Sequence, residues 1–95
     1  MAQPGYHDDK QNVLLRLKRI EGQVRGLQRL VEDDTYCIDV LTQVAAVSKA
    51  LQGVGVRLLD EHLRHCVAGA AASGDARTTE LVHEATKAVE RLLRA

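Results

Sequence analysis

Residues 8–32 read DDKQNVLLRLKRIEGQVRGLQRLVE. Within that stretch Val13, Leu17, Ile20, Val24, Leu27 and Val31 recur at steps of four and three. The period sets the apolar side chains along one stripe of an α-helix and leaves the remaining surface to charged and amide groups. It predicts a first helix from about Asp8 to Glu32. Gly22 and Gly26 lie inside it, four apart on one face. A glycine inside a helix costs about 1 kcal/mol relative to alanine. The pair therefore points either to close approach of another backbone or of DNA, or to glycines tolerated on a packed helix.

The pattern breaks at Glu32-Asp33-Asp34-Thr35, where Asp34 or Thr35 can cap a following helix whose first turn holds Asp39. Apolar positions resume at Ile38, Leu41, Ala45, Leu51, Val54, Leu58 and Leu59, so a second, unusually long helix runs from Tyr36 to about Ala72. Gly53 and Gly55 sit near its middle without a proline or a polar loop cluster, which favours a continuous or mildly bent helix. Ser73-Gly74-Asp75 is a second break. A third helix follows from about Arg77 to Arg94, with an apolar stripe at Leu81, Ala85, Ala88, Val89 and Leu92. The expected fold is all-α, three helices with a long central one, in a single domain over residues 1–95 whose first seven residues are flexible.

Composition agrees. The chain has no Trp or Phe and two Tyr, so its apolar content comes from Leu, Val, Ile and Ala. A 95-residue chain also leaves much of its surface exposed, and a second copy would help to bury the apolar faces. No run of apolar residues is long enough to span a membrane, and the polar start from Met1 to Lys10 lacks a signal-peptide core. The expected location is the cytoplasm, where Cys37 and Cys66 stay reduced and metal or redox chemistry is favoured over a structural disulfide.

The formal net charge is zero, yet charge is segregated. Residues 10–30 hold Lys10, Arg16, Lys18, Arg19, Arg25 and Arg29 against Glu21 alone, a local net of +5. Such a surface attracts a polyanion locally whatever the total charge. On a helical wheel Arg16 and Arg19 flank the apolar stripe, while Lys18, Arg25 and Arg29 share the opposite face. The alternative for these charges is an ordinary solvated surface. Read as a DNA contact, Arg16 and Arg19 come first, then Lys18 and Arg25, and Lys49 and Arg57 can extend the patch in an oligomer. No recognition helix is evident, so backbone and shape readout would outweigh base contacts.

His62 and Cys66 are four apart, one turn above each other on a helix face, a spacing that lets two side chains hold one metal ion. His65 points away from that face. Cys37 precedes His62 by 25 residues. At about 1.5 Å rise per residue the two lie roughly 37 Å apart on an unbroken helix and cannot share an ion within one chain. Two antiparallel copies would bring Cys37 of one beside His62 and Cys66 of the other, giving two equivalent sites in a twofold dimer. A hairpin at Gly53 or Gly55 would allow a site within one chain instead. Two thiolates and one imidazole are soft ligands suited to Cu(I), whereas structural Zn(II) normally recruits a fourth ligand. His7 and His83 are the remaining histidines, each readable as a fourth ligand or as a solvated surface side chain.

These residues resemble the copper-sensitive operon repressors. The likeness is carried by Tyr36-Cys37-Ile38-Asp39-Val40-Leu41, by Glu61-His62-Leu63-Arg64-His65-Cys66, and by Arg16-Leu17-Lys18-Arg19-Ile20-Glu21-Gly22-Gln23-Val24-Arg25-Gly26. It extends from about Gly5 to Arg94. The resemblance implies a three-helix protomer without a helix-turn-helix, an antiparallel dimer and a homotetramer made of two dimers. It implies Cu(I) held by Cys37 of one subunit with His62 and Cys66 of its partner. It further implies that copper lowers the affinity for operator DNA and releases transcription of copper-efflux or copper-buffering genes. Tyr36 and Glu84 resemble the pair that hydrogen-bonds around the metal-bound histidine. Nickel and cobalt sensors of the same superfamily carry His where Cys66 stands and add an N-terminal ligand, a feature His7 echoes. Formaldehyde sensors lack the second Cys, and persulfide sensors lack the His at position 62.

Other functions fit less of the chain. A sensor of another inducer would depart from the Cys-His-Cys pattern. A copper buffer would not need the basic first helix. An enzyme with Cys37 or Cys66 as nucleophile and His62 or His65 as base lacks an evident oxyanion hole or substrate pocket. A plain helical oligomerisation module would not bind Cu(I) tightly.

Overall fold

A computed structural model describes residues 4–94. All regular structure among them is helical: a 3₁₀ turn at His7–Asp9, α1 at Lys10–Glu32, α2 at Cys37–His62, a π-helical segment at Leu63–Val67, α3 at Ala68–Ala72 and α4 at Thr78–Arg94. The expected flexibility of residues 1–7 falls, for residues 1–3, outside the described residues. From Pro4 onward the chain turns on hydrogen bonds from the His7 N–H to the Pro4 carbonyl (3.0 Å) and from the Asp9 N–H to the Tyr6 carbonyl (2.8 Å). α1 thus begins after the acidic pair Asp8-Asp9, two residues later than the apolar period suggests.

The two breaks close by the same backbone device. Asp34 adopts the left-handed conformation at φ 55°, with Thr35 N–H donating to the Leu30 carbonyl and Asp34 N–H to the Val31 carbonyl. This is a Schellman closure of α1, built on an aspartate where glycine is the usual choice. At the second break Gly74 (φ 73°) does the same, with Asp75 N–H bonded to the Ala70 carbonyl and Gly74 N–H to the Ala71 carbonyl. Asp75 then serves the next helix: its Oδ1 accepts from the Arg77 N–H at 2.8 Å, and its carbonyl accepts from the Thr78 hydroxyl at 2.7 Å.

The chain forms two compact units, residues 11–54 and residues 1–10 with 55–95. In the first, Val13 and Ile20 of α1 and Val47 and Val54 of α2 are the buried side chains. Val24, Leu27 and Val31 of α1 line an apolar groove with Val40 and Val44 of α2. In the second, Cys66, Val67 and Ala85 are buried. Many large apolar side chains stay exposed, among them Ile38, Leu41, Val44 and Leu51 along α2.

α2 passes through Gly53 and Gly55 without a break, so neither glycine makes the hairpin considered above. Their roles differ. A Cβ at Gly53 would meet nothing within 4 Å, whereas one at Gly55 would stand 2.9 Å from Leu92 Cδ1 of α4. Gly55 is therefore the notch that seats Leu92. Replacing Gly55 with Val is expected to destabilise the fold by about 1–3 kcal/mol through overpacking. Gly53→Ala is expected to be neutral or to stabilise by up to about 1 kcal/mol. Urea unfolding of both variants checks the contrast.

The central helical run reaches Ala72, but not as uniform α-helix. The Ala68 N–H donates to the Leu63 carbonyl, an i→i+5 bond that defines the π turn. Such turns insert one extra residue into a helix and are frequent at functional sites. This one lies directly after His62 and contains Cys66. No helix of the described residues is long and apolar enough to cross a membrane.

Candidate metal centre

The π turn decides how His62 and Cys66 relate. In an α-helix four residues overshoot one turn of about 3.6; in the wider π turn they fall short of one. Both residues lie against Gly5 of the N-terminal turn. A Cβ added at Gly5 would lie 3.0 Å from His62 Cα and 3.2 Å from Cys66 Sγ, as well as 2.9 Å from the Glu61 carbonyl oxygen. Cys66 is buried and His62 half-buried. His65, in the same turn, is exposed and places Nε2 3.0 Å from Glu61 Oε2, an engagement that holds it back along its own helix.

Beside His62 opens a cavity of about 450 Å³, lined by Tyr6, Leu58, Leu59, His62, Glu84 and the apolar stripe of α4. Glu84 therefore shares a wall with His62. A carboxylate in that place can accept a hydrogen bond from an imidazole and fix its tautomer.

Cys37 and Tyr36 belong to the other unit, 11–54. Cys37 is the first residue of α2 and is exposed. Tyr36 is exposed too, and its carbonyl accepts from the N–H groups of Asp39 (3.0 Å) and Val40 (3.2 Å), which starts the helix. Among the described residues of this single chain, no three His, Cys, Asp or Glu side chains come together as a metal-binding group. His7 lies exposed in the 3₁₀ turn and His83 exposed on α4.

The basic residues of α1 are solvent-exposed: Arg16, Lys18, Arg19, Arg25 and Arg29. Arg25 is partly neutralised, with Nη1 3.0 Å from Glu21 Oε1 one turn earlier. Arg16, Lys18, Arg19 and Arg29 form no ion pair among the described residues. A Cβ at Gly26 would meet nothing within 4 Å, and one at Gly22 only the Arg25 guanidinium at 3.9 Å. Neither glycine is required by packing within the chain.

Three residues near the centre escape a reading of the sequence. Gly5 and Tyr6 lie in a stretch that composition marks as flexible. Asp9 pairs with Arg57, 48 residues away, through two hydrogen bonds: Arg57 Nε to Asp9 Oδ2, and Nη2 to Oδ1 at 2.9 Å. That separation leaves no local pattern to detect. The pairing raises the pKa of Arg57, opposed by partial desolvation and aided by Glu61 and Asp60.

Comparison with known proteins places these features in a family. Residues 9–93 match the family model described as metal-sensitive transcriptional repressor. The chain is 51% identical over 94 residues to the copper-sensing transcriptional repressor RicR of Mycobacterium tuberculosis, covering 99% of this chain and 98% of that protein. Its fold matches the crystal structure of the copper-sensing repressor CsoR with Cu(I) from Geobacillus thermodenitrificans NG80-2 at a TM-score of 0.79 and 43% identity, over 90% of this chain and 88% of the other. It also matches the nickel-responsive transcriptional regulator InrS at a TM-score of 0.75 and 39% identity, over 86% and 90%. The chain belongs to the metal-sensitive transcriptional repressor family. Similar folds accompany a copper-sensing repressor and a nickel-responsive regulator, so the fold alone does not choose the metal.

Proposed function

We propose that the chain is a Cu(I)-responsive repressor that binds operator DNA in its metal-free form and releases it on binding copper. The observation that carries the metal assignment is the placement of His62 and the buried Cys66 four residues apart at the π turn, both against Gly5. With Cys37 they make a set of two thiolates and one imidazole, the soft donors that fit Cu(I). The copper-sensing relative at 51% identity over nearly the whole chain supports the same choice. Bound Cu(I) would supply a fixed link between the three side chains.

The remaining roles belong to the protein. Because α2 runs unbroken from Cys37 to His62, the premise of a site shared between two chains is kept, and we assign Cys37 of one protomer to the His62 and Cys66 of an antiparallel partner. Exposed Ile38, Leu41, Val44 and Leu51 on α2 supply apolar surface for such a homodimer, and two dimers would form the homotetramer. Glu84, on the wall that His62 shares, orients the imidazole together with Tyr36 of the shared site. Arg16 and Arg19, then Lys18 and Arg25, contact DNA phosphates. In this reading residues 1–95 act as one metal-sensing, DNA-binding domain, a cytoplasmic regulator rather than an enzyme.

The test is a titration of Cu(I) into the protein bound to DNA from upstream of its own gene, followed by fluorescence anisotropy at fixed salt, with Zn(II) and Ni(II) in parallel. Cu(I) is expected to weaken binding by about 5–150-fold, the usual range of allosteric coupling. If Ni(II) releases the DNA and Cu(I) does not, the copper assignment is wrong. If no metal releases it, the sensor reading is wrong.

A further inference from the structure

Nothing in the Cys-His-Cys pattern involves the N-terminal turn, yet that turn is seated on the ligand face. Gly5 approaches so closely that any side chain there would collide with the Glu61 carbonyl, His62 Cα and Cys66 Sγ. The first two are backbone atoms of α2, which cannot swing aside as a side-chain end can. Tyr6, the next residue, lines the cavity beside His62 and Glu84. Four residues past Gly5, Asp9 grips Arg57 of α2 through both carboxylate oxygens. The Asp9 side chain is 16% exposed and that of Arg57 34%, so the pair is sheltered more than a surface ion pair, and its two-pronged geometry is the orienting kind.

We propose that residues 4–9 form a strap over the Cys66 thiol, with Gly5 as the point of contact and the Asp9–Arg57 pair as the latch, and that the strap governs access to this ligand. Closed, it shields Cys66 from bulky oxidants and competing thiols while the exposed Cys37 stays open to solvent. Opening releases the Asp9–Arg57 pair and the short turn above it, a local event that leaves α2 and α4 in place. Gly5 is a positioning residue, since it acts by letting the strap lie down. The functional consequence for copper rests on the assignment of His62 and Cys66 as ligands; the shielding itself does not.

The experiment measures alkylation of Cys66 by iodoacetamide in metal-free protein carrying Cys37→Ser, so that one thiol reports. Adding Asp9→Asn or Gly5→Val is expected to speed the reaction by about tenfold or more, the scale of losing a charge-assisted bidentate pair. Asp8→Asn, a neighbouring exposed acid, should leave the rate unchanged. Circular dichroism melting identifies a variant that has simply unfolded, and Asp9→Asn, which keeps the size and shape of the side chain, guards against that outcome for Gly5→Val. Parental rates in both strap variants would overturn the proposal, as would an equal acceleration by Asp8→Asn. With Cys37 restored, Asp9→Asn is also expected to hasten Cu(I) transfer to a chelator. Should a Cys66→Ser chain hold Cu(I) as tightly as the parent, the ligand assignment fails, while the alkylation rates still decide the strap.

Discussion

A chain carrying Cys66→Ser is expected to bind operator DNA as tightly as the parent and to keep hold of it when Cu(I) is added. The copper-dependent weakening of about 5–150-fold, worth about 1–3 kcal/mol of coupling, should vanish. The serine hydroxyl has nearly the shape of the thiol but is a hard oxygen donor, poorly matched to Cu(I). Cys66 belongs to the π turn and the exposed arginines to α1, so its replacement removes none of the side chains assigned to DNA. Cys37→Ser should have the same effect for the same reason. The more discriminating result comes from mixing the two variants. If the site is shared between antiparallel chains, a mixed dimer pairs the intact Cys37 of one variant with the intact His62 and Cys66 of the other. One of its two sites is whole. Dissociating and reassociating the mixture should therefore restore part of the copper response, although neither variant responds alone. A site built within one chain predicts no rescue, because each chain in the mixture lacks a ligand. Rescue thus reads the assembly and the ligand set together, and its absence with both single variants inactive would remove the intersubunit site while sparing the ligands.

The helices were legible because their period is long and regular. Six apolar residues at steps of four and three leave little choice for α1, and Gly74 before Asp75 marks the start of the last break plainly. The all-helical fold and the family follow from that pattern and from the residues around Cys37 and His62. What stayed hidden depends on backbone detail or on distant pairs. Asp34 reads as a helix N-cap, yet it closes α1 in the left-handed conformation, because a short polar side chain suits either task. The π turn at Leu63–Val67 has no signature in residue type, since it is a single widened turn, too short for its change of phase to stand out in the apolar pattern. Gly53 and Gly55 look alike in the sequence and differ only in that Leu92 packs against one of them. The strap hides for a related reason: Gly5 after Pro4 carries the composition of a loose end, and what seats it is an acid and an arginine with 48 positions between them. Of the candidate site, the residue types and the His62–Cys66 spacing were readable, while the burial of Cys66 and the cavity beside Glu84 were not.

The second large effect concerns DNA. Replacing both Arg16 and Arg19 with Ala is expected to weaken operator binding and to make it less sensitive to salt. Each phosphate contact contributes about 0.9 to the slope of log K against log salt. Losing two contacts per bound chain should lower that slope by about 2, and by more where several chains of an oligomer touch the DNA. Between about 50 and 200 mM salt the parent would then lose roughly tenfold more affinity than the variant. Arg16, Lys18, Arg19 and Arg29, exposed and without an ion pair among the described residues, stand on two faces of this helix, and the choice between them is physical. Arg16 and Arg19 flank the apolar stripe, whereas Lys18, Arg25 and Arg29 lie opposite, with Arg25 already 3.0 Å from Glu21. Arg25→Ala should therefore change the slope less than Arg16→Ala, and Glu21→Gln should strengthen binding by freeing the Arg25 guanidinium for a phosphate. Lys87→Ala on α4, paired with Glu90 at 3.8 Å, is the control that should leave the slope unchanged. An unaltered slope in the Arg16/Arg19 double variant, with a changed one in Lys18→Ala, would move the DNA to the opposite face of α1. Gly22 and Gly26 then become informative: a Cβ at either meets open space or only the end of Arg25 within the chain, so Gly26→Ala should weaken DNA binding only if that face of the helix is the one pressed against the duplex.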